Sequence, residues 1–169
     1  MIISLIGFMA TGKTTIGNKL AKKLDYEFID LDNYIEELTN MSVKEIFEKK
    51  GEKHFRTLEN KLLKKVLIQY HDLVISPGGG IITSQENIKL LKEKTIPFLL
   101  KAKPKSIVNR IDDITKRPLL NKKNPEEIIK ELLKERGKYY NQFENVIITD
   151  NKEIYEIMNE ILNRLEDMK

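Results

Sequence analysis

Between an apolar run and a helical pattern, Gly7-Phe8-Met9-Ala10-Thr11-Gly12-Lys13-Thr14 spells G-x-x-x-x-G-K-[ST]. That spelling belongs to a loop whose backbone N–H groups wrap phosphate oxygens. The flanks supply the context it requires. Met1 to Ile6 is short, apolar and rich in Ile and Leu, which reads as a buried strand. Ile16, Leu20, Ala21 and Leu24 recur at helical spacing, with Lys19, Lys22 and Lys23 on the other side. Strand, glycine loop and helix follow in the order that the motif needs. Gly7 and Gly12 let the backbone curl inward. The new helix adds its unpaired N–H groups and the positive end of its dipole. Lys13 suits the β- and γ-phosphates of a nucleotide, and the Thr14 hydroxyl suits Mg²⁺.

At 169 residues the chain is expected to form one domain with a full core. Charged residues make up 33%, and no apolar run approaches the ~18 residues of a membrane span. The N-terminal run is too short for a signal peptide. Without cysteine there are no disulfides and no thiolate metal sites. A soluble cytoplasmic enzyme is the expectation, with no membrane partner. The net charge of +4 and a pI near 9.0 raise the question of nucleic acid. Lysines are scattered and interleaved with Glu, and no basic stripe carries aromatics, so no nucleic-acid partner is expected. Of 30 Lys plus Arg, only Arg56, Arg110, Arg117, Arg136 and Arg164 are arginine. A chain that uses Lys for plain charge keeps Arg where a planar fork must meet carboxylate or phosphate. Arg164, in the C-terminal helical pattern, reads as a surface residue.

Strands are expected at Ile2–Ile6, Glu27–Asp30, Leu73–Ser76, Pro97–Lys101 and Val146–Ile148. Helices are expected after the loop and at about 33–39, 43–50, 52–70, 85–94, 104–113, 125–141 and 152–167. Ser42-x-x-Glu45 spells a capping box. Asn124-Pro125-Glu126-Glu127 spells a helix start. This alternation predicts an α/β fold, a parallel sheet with helices on both faces. Ligands of such sheets sit at the carboxyl ends of the strands.

The remaining candidates fall at those ends. Asp30 and Asp32 follow the second strand. As a strand pair they face one way, one for Mg²⁺ and one for a substrate hydroxyl, and they read equally as helix caps, Asp32 for a helix at Asn33. Arg56 stands at helical spacing from Glu52 and Glu59. It reads either as a surface residue or as a carboxylate fork held by those acids. Gly78-Gly79-Gly80 after the third strand permits close approach of backbone to a ligand. Ser76 stands where a residue near the Mg²⁺ shell is expected. Thr115 to Lys123 is polar and basic, with the make-up of a closing lid. His54 and His71 lack metal-ligand spacing and read as structural or surface residues.

In this order and spacing the motifs resemble the shikimate kinase family. The residues that carry the likeness are Gly7–Thr14 with Thr15, Phe28-x-Asp30-x-Asp32, and Gly51-Glu52-x-x-Phe55-Arg56-x-x-Glu59. Gly78-Gly79-Gly80, Arg117-Pro118-Leu119-Leu120 and Arg136 followed by Tyr139 complete the set. The resemblance implies a five-stranded parallel sheet of the P-loop kinase type in one domain, residues 1–169. It further implies a substrate-binding region near 32–60 and a lid near 112–124. It implies ATP-dependent phosphorylation of the shikimate 3-hydroxyl by a monomer, with Mg²⁺. ATP would meet Gly7, Met9, Ala10, Thr11, Gly12, Lys13, Thr14, Thr15, Arg110 and Arg117. Thr14 and Asp30 would hold Mg²⁺. Shikimate would meet Asp32, Arg56, Gly78, Gly79, Gly80 and Arg136, with Asp32, Lys13 and Arg117 catalytic. Two positions depart from the family pattern. Ala10 stands where glycine is usual, and Thr149 to Glu153 lacks the usual adenine-loop proline. The rivals are another small-molecule kinase of this fold, such as a gluconate kinase, and a nucleotide-binding regulatory protein. A GTPase is disfavoured because no N-K-x-D motif is present.

Overall fold

All five expected strands are present, each within one residue of its expected bounds. The structure, a computed structural model, describes residues 1–111 and 124–168. Arg117 and nearly all of the expected lid lie outside the described residues. The strands are β1 (Ile2–Gly7), β2 (Glu27–Asp30), β3 (Leu73–Ser76), β4 (Ile96–Lys101) and β5 (Val146–Ile148). They form one sheet in the order β2-β3-β1-β4-β5. The β1–β3, β2–β3 and β4–β5 pairings are parallel. The central strands read as unbroken apolar runs because both faces are covered: β3 is buried throughout, and β1 from Ile3 onward.

The chain gathers into two compact units. One comprises Met1–Ile6 and Thr14–Pro97, and the other Gly7–Lys13 and the chain from Phe98 onward. In the first, helix α1 (Lys13–Leu24) leads to β2. Then come α2 (Leu31–Thr39), α3 (Val43–Lys50) and α4 (Glu52–Gln69). Helix α4 packs against α2, α3 and α5 (Gln85–Lys94), burying Phe55, Leu63 and Val66. A 3₁₀ turn, Ile81–Thr83, links β3 to α5. The second unit holds α6 (Pro104–Asn109), α7 (Pro125–Tyr140), β5 and α8 (Ile154–Asp167). The Ser42–Glu45 capping box and the Asn124 cap form as expected.

Three helices depart from their expected bounds by more than one residue. Helix α2 starts at Leu31 rather than 33, because the Asp30 carboxylate accepts the N–H groups of Asp32 and Asn33 and serves as the cap itself. Asp32 therefore belongs to the first turn of a helix, and neither caps one nor extends the strand. Helix α6 stops at Asn109, where the Arg110 N–H bonds back to Ser106 and Ile107 carbonyls. Helix α8 begins at Ile154 behind a capping box of Glu153 and Glu156.

Gly17 lies buried inside α1. A Cβ there would stand 2.5 Å from Phe28 Cε2 and 3.3 Å from Leu5 Cδ1. Alanine gains about 1 kcal/mol over glycine in helix propensity, but overpacking costs about 1–3 kcal/mol. Crowding wins, so Gly17→Ala should lower Tm by roughly 2–4 °C per kcal/mol of net loss. An unchanged or raised Tm would mean that the Phe28 ring yields freely.

Candidate active site

The phosphate-binding loop closes on itself. Thr11 Oγ1 donates to the Phe8 carbonyl at 2.8 Å and is buried. Lys13 Nζ donates to the Gly7 and Phe8 carbonyls, each at 2.9 Å. Gly7 has no room for a side chain: a Cβ would meet Leu100 O and Thr11 Oγ1, both at 2.6 Å. Gly12 has φ 97°, a value that an L side chain rarely adopts. Ala10 has φ 55°, so its methyl is held in the left-handed region at a cost of about 1–2 kcal/mol. The loop keeps its path at Ala10 through backbone strain.

Within the same unit, Arg136 on α7 lies over the Phe8 ring, its Cζ 5.3 Å from the centroid. Burial pushes the Tyr140 phenol up, and the Arg136 charge pulls against it. Tyr140 is buried, while Tyr139 carries the Lys138 ammonium over its ring. Arg110 forks onto Thr149, Nη1 to the hydroxyl at 2.9 Å and Nη2 to the carbonyl at 2.7 Å. The Asp150 carboxylate accepts the Lys103 N–H at 3.0 and 3.2 Å. Burial raises its pKa, but hydrogen bonds from Ser106 and Lys103, with the Arg110 charge, hold it below the usual value. The segment after β5 is thus anchored without a proline.

In the other unit, Thr14 Oγ1 donates to Asp30 Oδ2 at 2.6 Å. Asp30 Oδ1 takes the cap N–H groups of Asp32 and Asn33 at 3.2 and 3.5 Å. Ser76 pairs in register with Asp30 and is buried. Thr15, the next residue of α1, is exposed. No group of three or more His, Cys, Asp or Glu fit to hold a metal occurs among the described residues. One hydroxyl and one carboxylate do suit Mg²⁺, which keeps waters and phosphate oxygens as its other ligands. His54 and His71 are both exposed.

Arg56 is set among fixed groups. Its Nη1 donates to Glu59 Oε2 at 2.9 Å and its Nη2 to Glu52 Oε1 at 3.2 Å. Its Cζ lies 5.8 Å from the Phe47 ring and 5.2 Å from the Phe55 ring. Gly80 and Gly78 have negative or extended φ, so space rather than conformation demands glycine. A Cβ on Gly80 would stand 2.6 Å from Arg56 Cζ, and one on Gly78 2.9 Å from Glu59 Oε1 and 3.1 Å from Asp32 Cγ. The protein's own Asp32, Arg56 and Glu59 thus come close to this turn. Glu59 is fully buried, and its Oε1 finds no hydrogen-bond partner among the described residues. Burial pushes its carboxyl up to about 7 against the pull of Arg56, with Asp32 and Glu52 raising it further. Sequence spacing marked Glu59 as a partner of Arg56. Neither its complete burial nor the Phe8 platform under Arg136 has a signature in spacing.

A sheet whose middle strand runs into this loop, flanked by helices, defines a P-loop kinase fold. The family model for shikimate kinase matches residues 9–166. The chain is 42% identical over 164 residues to a shikimate kinase of Thermodesulfovibrio yellowstonii, covering 97% of this chain and 94% of that one. It superposes on a shikimate kinase from Acinetobacter baumannii in complex with shikimate with TM-score 0.92 and 36% identity, covering 99% of this chain and 94% of that one. A gluconokinase from Sinorhizobium meliloti shares the fold alone, at 13% identity and TM-score 0.56 over 98% of this chain and 91% of that one. The chain belongs to the shikimate kinase family.

Two substitutions test the strained and buried groups. Ala10→Gly should raise stability by about 1 kcal/mol, read from the denaturant midpoint, because the methyl leaves the left-handed region. A lower midpoint would show that the methyl makes a compensating contact. Glu59 holds its proton more tightly folded than unfolded, since its folded pKa lies above the ordinary 4.5. Its contribution to stability is therefore full below the unfolded value and lost as pH rises toward about 7. By linkage this loss is on the order of 3 kcal/mol. Glu59→Gln should gain less stability than the parent between pH 7 and pH 5. Equal gains would remove Glu59 as the source.

Proposed function

We propose that this shikimate kinase moves the γ-phosphoryl group of ATP onto the 3-hydroxyl of shikimate, a step toward chorismate and the aromatic amino acids. One observation supports it above the others. Arg56, held by Glu59 and Glu52, presents a fixed fork in the same cluster as Asp32 and the Gly78–Gly80 turn. A planar fork suits a carboxylate, and a carboxylate beside it suits an alcohol.

The roles follow from the chemistry of each group. Gly7, Met9, Ala10, Thr11 and Gly12 offer the loop's backbone to the phosphates, with Thr15 alongside. Lys13 neutralises β- and γ-phosphate charge, and Arg117 adds to this from the lid expected at 112–124. Arg110 serves the adenine side. Thr14 and Asp30 would hold Mg²⁺, which would supply positive charge to offset that of the phosphates. Arg56 and Arg136 grip the shikimate carboxylate, while Gly78, Gly79 and Gly80 meet the ring hydroxyls. Asp32 orients the acceptor hydroxyl and takes its proton. The hydroxyl oxygen bonds to the γ-phosphorus as the bond from that phosphorus to the β–γ bridging oxygen breaks, and ADP leaves with that electron pair. No covalent enzyme intermediate is needed, since positioning and charge stabilisation carry phosphoryl transfer. We place the enzyme in the cytoplasm as a single-domain monomer. No described helix is long and apolar enough to cross a membrane.

A coupled assay with ATP and Mg²⁺ should give turnover with shikimate and none with gluconate or nucleoside monophosphates. Turnover with another acceptor alone would sink the assignment. Asp32→Asn should lose at least roughly a hundredfold in kcat while still binding ATP, and full turnover would remove Asp32 from the chemistry. Arg56→Lys should raise the KM for shikimate far more than that for ATP, because Lys has no bidentate fork.

A further inference from the structure

Asn87 on α5 is a buried amide to which the phosphoryl-transfer reading gives no task; its residue exposure is 1%. Its Oδ1 accepts from Asn60 Nδ2 of α4 at 2.6 Å. Its Nδ2 donates to the Ile81 carbonyl at 3.4 Å. Ile81 opens the 3₁₀ turn directly after Gly80, and its N–H donates to the Gly78 carbonyl at 3.1 Å. Thr83 closes the same turn on the Gly80 carbonyl, through N–H at 3.0 Å and hydroxyl at 2.8 Å. A continuous run of hydrogen bonds thus joins α4 to the glycine turn. Asn60 and Lys64 of α4 also bind Glu86, beside Asn87, with Asn60 Nδ2 at 3.2 Å from Glu86 Oε2.

An amide buried this deeply is costly unless bonded. What a satisfied one adds over a leucine of similar size is a single fixed geometry. Arg56 lies one helical turn before Asn60, on the same face of α4. Its guanidinium lies against the Gly80 backbone so closely that no Cβ fits between them. A slide or roll of α4 against the turn would either lift the fork away or jam it. We propose that Asn87, through Asn60 and Ile81, is a positioning residue that sets where Arg56 stands against the Gly78–Gly80 turn, and with it the affinity for the carboxylate substrate. This rests on the reading of Arg56 as the carboxylate fork.

The test is steady-state kinetics on Asn87→Leu, Asn60→Leu, Arg56→Lys and the double variant Asn87→Leu with Arg56→Lys. Asn87→Leu and Asn60→Leu should each raise the KM for shikimate at least roughly fivefold and leave the KM for ATP within about twofold. In the Arg56→Lys background, Asn87→Leu should add little, because the residue that it positions is already lost. Equal rises in both KM values, no rise in either asparagine variant, or the full effect persisting in the Arg56→Lys background would each overturn the proposal. If Asn87→Leu fails to fold, the half-exposed Asn60→Leu carries the same comparison alone and in the Arg56→Lys background. Arg56→Lys by itself separates the two ideas. A normal KM for shikimate there refutes the carboxylate role. A raised KM there, with normal values in the asparagine variants, refutes the positioning role alone.

Discussion

Glu59 is a carboxylate with no exposed surface, and one charged partner, Arg56, meets it at 2.9 Å. Desolvating such a group is tolerable when a cation and good geometry offset the loss of water, or when the group keeps its proton, and Glu59 draws on both. Much of the first unit follows from that demand. Arg56 has to stand over the glycine turn to reach Glu59, and the turn has to be glycine to admit it. Phe47 and Phe55 face the guanidinium and restrict its other rotamers. Glu52 engages its far side. The fork is thereby held in place by the protein's own groups.

The phosphate-binding loop is organised differently. Its constraint is backbone conformation, visible at Gly12 and Ala10, together with close packing of Gly7 against Leu100 and Thr11. Ala10 keeps the loop's path with a side chain that disfavours it, so local strain is balanced by the surrounding hydrogen bonds of Thr11 and Lys13.

The central strands were legible in the amino-acid order because they are buried apolar runs, and β3 falls at its expected residues, as do the less buried β2 and β5. The chemistry-bearing residues were legible as types and spacings: the loop, the two aspartates, the sparse arginines. Less legible was which neighbour each would choose. Asp30 and Asp32 look like a strand pair in one dimension, yet Asp30 captures two N–H groups and turns Asp32 into a helical residue. The glycine run suggested room for a ligand, and spacing gave no cue that Gly78 and Gly80 also make room for Asp32, Glu59 and Arg56. The seat of Arg136 on Phe8 and the burial of Tyr140 depend on tertiary packing, for which spacing carries no cue.

The fit of Gly80 against Arg56 also bears on how this chain can diverge. Any side chain at 80 would displace the guanidinium, and a shorter side chain at 56 would leave Glu59 buried without its cation. The three positions therefore form one inherited unit. A change at any one of them therefore calls for changes at the other two, so single substitutions here carry a cost that surface positions on the same helices do not.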